Sequence, residues 1–266
     1  MKAVNNDNLK INYKIYGNGH PTLLFIHGSF NDQTYWDSQV AHFKNHYKIV
    51  TMDLGGHGES GKNRDVWTIE EFGEDIGAAL KQLELRDVII IGHSMGADAM
   101  LEAAVEYPEN LIGLVAVDYF KNVGTQFPED QEKQIMESLH TNFSKAAETY
   151  ARTGLLTPET PAAVAERVTK AYRDAEPDMG MKSIASTFGY AERESQMLQK
   201  LKLKVHLINV DYQPTNPDAL RRFTTNFDLH AIHGTSHFPM IENPEEFNQK
   251  LEKALSEIIE DVKTQR

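Results

Sequence analysis

Gly92-His93-Ser94-Met95-Gly96 form a G-x-S-x-G pattern, and their setting carries the argument. The apolar run Val88 to Ile91 precedes them, and an alanine-rich helical stretch, Ala97 to Tyr107, follows and ends before Pro108. A serine between a buried strand and a helix sits on a tight, strained turn that lifts its hydroxyl above the sheet. Glycines two residues to either side remove side chains that would clash there. The helix behind it aims backbone N–H groups and the positive end of its dipole at the same spot. Ser94 is the candidate nucleophile; the alternative is a serine in an ordinary glycine-rich turn.

A nucleophilic serine attacking a carbonyl needs two N–H donors for the oxyanion. Met95, next in chain, offers one. The segment His27-Gly28-Ser29-Phe30, at the end of the apolar run Leu23 to Ile26, offers the other through Ser29. His27 itself reads as a support of that loop. The serine also needs a base. Of eleven histidines, His237 is the candidate, in the loop Gly234-Thr235-Ser236-His237-Phe238-Pro239 after the last strand pattern. His20, His42, His46 and His140 lie in polar surface patterns. His57 and His93 flank glycines in turns, where a supporting hydrogen bond is the natural role, and His206 and His230 lie within strand patterns. His230, His233 and His237 superficially resemble a metal cluster, but no acidic ligand adjoins them and a metal on His237 would remove the base. No metal or organic cofactor is expected.

The elements that must position these residues alternate. Strand patterns run over Leu9 to Tyr16, after a polar Asn5 to Asn8 turn, then Leu23 to Ile26, Tyr47 to Asp53 and Val88 to Ile91. Further ones end at Asp118, Val210 and Gly234. Continuous rather than alternating apolar runs suit central strands buried on both faces. Between them, Ile69, Phe72, Ile76, Leu80 and Leu83 recur at helical spacing behind a Thr68/Glu71 capping box, with Trp67 and Phe72 placed as a hydrophobic staple. The last helix starts at Asn243-Pro244 and repeats Phe247, Leu251, Leu255 and Ile258 on one face. The pattern implies an α/β fold with a mostly parallel sheet flanked by helices. The alternation breaks over 121–200, where only helical patterns appear (Ile135 to Tyr150, Pro161 to Ala175, Met181 to Leu201). The expected organisation is a core of 1–120 and 201–266 with a helical cap over 121–200, covering the carboxyl ends of the strands. Helices packed on a sheet face are the alternative.

The composition sets the partners. The 266 residues carry 27 basic and 39 acidic side chains, a net charge of −12, so no basic surplus exists to meet nucleic-acid phosphates or an anionic membrane. Cysteine is absent, which removes disulfides, thiolate metal sites and cysteine nucleophiles. No apolar run is long enough to span a bilayer, and the first residues lack the apolar core of a secretory signal, so a cytoplasmic protein is expected.

Taken in order, the His-Gly loop, the turn Asp53-Leu54-Gly55-Gly56-His57-Gly58-Glu59-Ser60, the Ser94 turn, the helical insertion and the late histidine resemble the α/β-hydrolase superfamily, in its serine-nucleophile branch with a helical cap, over nearly the whole chain. The resemblance implies the α/β-hydrolase fold, a catalytic triad and a structural role for the Asp53 to Ser60 turn. It also raises a question about the acid. Most of the superfamily carries it after the strand behind the cap, in a pattern similar to Ile208-Asn209-Val210-Asp211-Tyr212-Gln213-Pro214; the aligned position here is Gln213, which cannot stabilise an imidazolium by charge. Asp211 stands two residues early. Asp118, ending the strand before the insertion, occupies the place where haloalkane dehalogenases carry their acid. Asp118 is the preferred acid, Asp211 the alternative, and a dyad without acid the third case.

The expected activity is hydrolysis of carboxylic esters of small or medium acyl substrates through an acyl-enzyme, the partner being a small-molecule ester or related carbonyl compound. Two other readings stand. One is a carbon–carbon bond hydrolase of ring-cleavage products, whose carboxylates would want a cation such as Arg173, Lys182 or Arg193 at the site. The other is a slow-turnover ligand sensor, because His27 to Trp36, with Asp32, Gln33 and Trp36, is similar to the same loop of strigolactone- and karrikin-receptor-like proteins. Phe30, Tyr119, Phe120, Phe188, Tyr190 and Phe238 are candidate pocket aromatics.

Overall fold

The computed structural model describes residues 2–6 and 8–265. Eight strands form one sheet: β1 (Lys2–Asn6), β2 (Leu9–Tyr16), β3 (Thr22–Ile26), β4 (Lys48–Met52), β5 (Val88–His93), β6 (Leu111–Val117), β7 (Val205–Val210) and β8 (Phe227–Ile232). Their spatial order is β1-β2-β4-β3-β5-β6-β7-β8. β1 pairs antiparallel with β2 and β2 with β4, whereas every pair from β4 to β8 is parallel. β3 and β5 are buried along their whole length, as their unbroken apolar runs require. β1 was not anticipated. Only Val4 of its five residues is buried, so it carries no apolar pattern and exists because β2 offers an edge to pair with. Asp7 of the expected Asn5 to Asn8 turn lies outside the described residues.

Eleven α-helices complete the described chain: α1 (Asp37–Phe43), α2 (Ile69–Gln82), α3 (Met95–Glu106), α4 (Glu129–Thr141), α5 (Phe143–Tyr150), α6 (Ala162–Arg173), α7 (Pro177–Gly189), α8 (Ala191–Lys200), α9 (Pro217–Arg221), α10 (Pro239–Glu242) and α11 (Pro244–Gln265). α2 and α3 pack together on one side of the sheet, and α1 with α11 on the other. Thr68 Oγ1 accepts the Glu71 N–H at 3.4 Å, and Asn243 Oδ1 accepts the Glu246 N–H at 3.3 Å while Glu246 accepts back from the Asn243 amide. Each such cap contributes about 1 kcal/mol to fixing where its helix begins. α3 starts two residues earlier than the alanine pattern suggests, immediately after Ser94.

Residues 129–200 hold α4 to α8 and no strand, between β6 and β7. The helical pattern of Ile135 to Tyr150 is broken at Asn142, whose side chain leaves the first helix to accept the Lys145 N–H at 3.1 Å and start the second. The Met181 to Leu201 pattern is likewise split, at Gly189 and Tyr190. One turn of π-helix (Ala151–Leu155) follows α5. Among the described residues no helix is long and apolar enough to cross a membrane.

Candidate active site

Ser94 stands between β5 and α3 with φ 53° and ψ −129°, a left-handed backbone that costs an L-residue roughly 1–3 kcal/mol. Two close approaches hold it there. A Cβ on Gly92 would meet the Gly96 carbonyl oxygen at 2.6 Å, and one on Gly96 would meet the His27 carbonyl oxygen at 2.4 Å. Only glycine lets the strand, the helix start and the His27 loop converge this tightly. The Ser94 N–H donates to the Val117 carbonyl at 3.2 Å, tying the turn to the end of β6.

That strand end carries Asp118, also left-handed at φ 50°. Its N–H donates to the Ile208 carbonyl of β7 at 2.9 Å, and the side chain is buried. Oδ1 accepts the Val210 N–H at 3.1 Å and lies 2.7 Å from Lys121 Nζ. Oδ2 accepts from His237 Nδ1 at 2.6 Å. A histidine whose Nδ1 proton is held by a carboxylate keeps a basic Nε2 facing away. The backbone of His237 is fixed too: its N–H donates to the Leu155 carbonyl at 3.1 Å, and its carbonyl accepts from His93 Nε2 at 2.8 Å. Burial pushes the His93 imidazole well below its usual range, so it stays a neutral support. Glu242 clamps the surrounding loop, accepting from the Ser236 hydroxyl at 2.5 Å, the Ser236 N–H at 3.0 Å and the Phe238 N–H at 3.2 Å.

Asp211 is elsewhere. It is exposed, accepts from His233 Nδ1 at 2.8 Å and from the Gly234 N–H at 3.4 Å, and the His233 hydrogen bond holds its carboxyl below the usual range. The three late histidines therefore part company: His237 meets Asp118, His233 meets Asp211, and His230 faces His206.

Ser29, Ser94, Asp118 and His237 line one cavity of about 570 Å³. Met95 is buried at the first position of α3, where a backbone N–H has no intrahelical acceptor. Of the candidate aromatics, Phe30, Tyr119, Phe120, Phe188 and Tyr190 line the cavity. Phe238 does not; it is fully buried between the rings of His237, His93 and Tyr35. The far wall comes from residues 135–194 of the helical segment.

Several groups escaped the sequence reading. Lys121 and Glu242 are two of them; only the three-residue step from Asp118 to Lys121 could have signalled the first. A third is an acidic pair in the cavity wall, Asp98 of α3 and Glu194 of α8. Burial pushes Glu194 up to about 7, and burial with the Glu194 charge beside it raises Asp98 well above the carboxylate range. Asp98 Oδ2 accepts from the Tyr119 hydroxyl at 2.5 Å. By contrast, the proposed carboxylate anchors are engaged away from the cavity: Arg173 with Glu148 and Asp174, Lys182 with Asp178, Arg193 with Glu102 and Glu70. Asp32, Gln33 and Trp36 also make framework contacts. Asp32 caps a short 3-10 turn, Gln33 donates to Asp53, and Trp36 packs on Phe25. Asp53 accepts further from Asn12 and Glu59, and His27 Nε2 accepts the Leu54 N–H at 3.0 Å, so this turn braces the loop bearing Ser29.

The mixed sheet, a strained serine at a strand-to-helix turn and a late histidine are the frame of a known class, and a family model described as alpha/beta hydrolase fold matches residues 21–244. The chain belongs to the α/β-hydrolase fold family. It is similar to the 3-oxoadipate enol-lactonase 2 of Acinetobacter baylyi, 24% identical over 253 residues that cover 92% of each chain. It is similar to the 2-(acetamidomethylene)succinate hydrolase of Mesorhizobium japonicum, 26% identical over 191 residues, 69% of this chain and 65% of that relative. Among solved structures, Est816, described as an N-acyl homoserine lactone degrading enzyme, shares the fold with a TM-score of 0.82 at 20% identity, covering 95% of this chain and 99% of that one.

Proposed function

We propose that the protein is a serine hydrolase of uncharged carboxylic esters, lactones included. Ser94 attacks the carbonyl while His237 Nε2 takes its proton, and Asp118 stabilises the imidazolium that forms. The N–H groups of Ser29 and Met95 receive the oxyanion. His237 returns the proton to the leaving alcohol, then activates water to release the acid and regenerate Ser94. Helices α4 to α8 act as a cap that closes the acyl pocket. The observation that carries the reading is the 2.6 Å bond from His237 Nδ1 to buried Asp118, on the wall of the cavity that Ser94 also lines. Relatives named for lactone hydrolysis favour the same chemistry, since a lactone is a cyclic ester.

The preference for uncharged substrates follows from the wall. Among the described residues lining the cavity the basic side chains are Lys121, which lies against Asp118, and His237 itself, whereas Asp98 and Glu194 present an acidic pair. A carboxylate-bearing substrate would enter without a free cation to replace its hydration. This weighs against the ring-cleavage reading. Steady-state hydrolysis of p-nitrophenyl esters of increasing acyl length tests the proposal. Turnover should be repeated, bounded by acyl length, and reduced at least about 10³-fold in a folded Ser94→Ala variant. Retained turnover in that variant would refute the assignment.

A further inference from the structure

We propose that His206 Nδ1, His230 Nε2 and Glu257 Oε2 form a binding site for a divalent transition-metal ion of the zinc type, which clips the C-terminal helix to the edge of the sheet. His206 lies on β7 and His230 on β8. The register sets His206 opposite Asp228, and His230, two residues further along β8, presents the same face. Glu257 comes from α11, which packs on β6, β7 and β8.

The three atoms form a nearly equilateral triangle. His206 Nδ1 is 3.5 Å from His230 Nε2, and Glu257 Oε2 is 3.4 Å from the first and 3.3 Å from the second. Zinc bonds nitrogen and carboxylate oxygen at about 2.0–2.2 Å, and two ligands of a tetrahedral ion then stand about 3.3–3.5 Å apart. The same distances are long for hydrogen bonds, which centre near 2.9 Å. Among the described residues, Glu257 Oε2 is buried without a donor aimed at it and His206 Nε2 has no partner, leaving Nδ1 as the nitrogen of that ring with polar neighbours. An acceptor oxygen buried in this way is costly unless something positive shares the space.

The donor set also selects the ion. Two imidazoles and a carboxylate suit zinc and its neighbours, whereas calcium and magnesium take oxygen. Three protein donors leave a fourth tetrahedral position for a water molecule. Nothing local in the sequence brings the trio together, because its members come from three elements.

The experiment is zinc titration by calorimetry, with thermal melts, on protein first dialysed against EDTA. Wild type is compared with Glu257→Gln, at a half-exposed position that leaves the core intact, and with His230→Gln. Wild type should take up a single zinc ion per chain and rise in Tm by about 5–10 °C at a hundredfold excess over Kd. Either variant should bind at least about tenfold more weakly, with about half or more of the Tm gain lost. Cobalt should give the intense visible bands of a tetrahedral site in wild type alone. Failure of wild type to bind a stoichiometric ion, or wild-type uptake by folded Glu257→Gln, would overturn the site. Neither readout depends on ester turnover.

Discussion

Asp118–His237 and Asp211–His233 are aspartate–histidine pairs of nearly equal length in one region of the fold. Asp118 meets His237 at 2.6 Å and Asp211 meets His233 at 2.8 Å, and the two histidines lie four residues apart in one loop. Their surroundings differ throughout. Asp118 and His237 have side chains 1% and 8% exposed; Asp211 and His233, 51% and 70%. The first carboxylate is fixed by the Val210 N–H and Lys121, and its histidine is held at both backbone ends. The second pair is open to water and salt, where such a contact contributes little. Bond length alone does not make an acid–base pair useful; a water-poor setting and independent anchoring do.

The sharpest way to break this comparison is to remove one charge at a time. Asp118→Asn should lower kcat for ester hydrolysis by about 10³–10⁴-fold, because the amide can no longer stabilise the imidazolium or fix its tautomer. Asp211→Asn should leave kcat within about twofold, as expected of a solvated surface pair. Measured side by side on folded protein, a large effect at Asp211 with a small one at Asp118 would invert the assignment.

Burial acts in the opposite sense where no cation waits. Glu194, beside Asp98, is raised to about 7 by burial. A carboxyl whose pKa is raised in the fold binds its proton more tightly there than in the unfolded chain. Its contribution to stability is complete below the unfolded value and is lost as pH rises through about 7. Glu194→Gln keeps the neutral form at every pH, so relative to wild type it should gain about 2 kcal/mol at about pH 8, after allowing for the charge shared with Asp98. Urea unfolding at about pH 5 and pH 8 reads the gap directly. A gap of the same size at both pH values would mean that Glu194 carries its charge in the folded protein.

Much of this was legible in the sequence. The strands around Ser94 and the caps at Thr68 and Asn243 follow from periodicity and near neighbours, which are local properties. β1 was invisible because one buried residue in five makes no pattern. The choice between Asp118 and Asp211 was not local either. β6 and β7 are adjacent, so either strand end stood as a candidate, and partner and burial separate them: Asp118 is buried against His237, whereas Asp211 is exposed against His233. The pair of Asp98 and Glu194 needed α3 and α8 to meet, and Glu242 needed the loop before α10 to turn back on itself.

Glu242 offers the finest test of the comparison, because it separates anchoring from charge. Among the described residues it makes no hydrogen bond to Asp118 or His237, yet it accepts from three donors on the residues either side of His237. Among the described residues, no such clamp holds the neighbours of His233 beyond Asp211 itself. Glu242→Ala should therefore let His237 drift toward the condition of His233 while Asp118 keeps its charge. Displacement of a base by a fraction of an ångström lowers the rate of proton transfer more than it lowers substrate binding. The expected result is a fall of about tenfold in kcat with KM nearly unchanged, and Glu242→Gln, which preserves an acceptor oxygen, should recover part of it. Equal kcat for Glu242→Ala and wild type would show that the contacts with His93 and Leu155 suffice. The difference between the two pairs would then rest on burial alone.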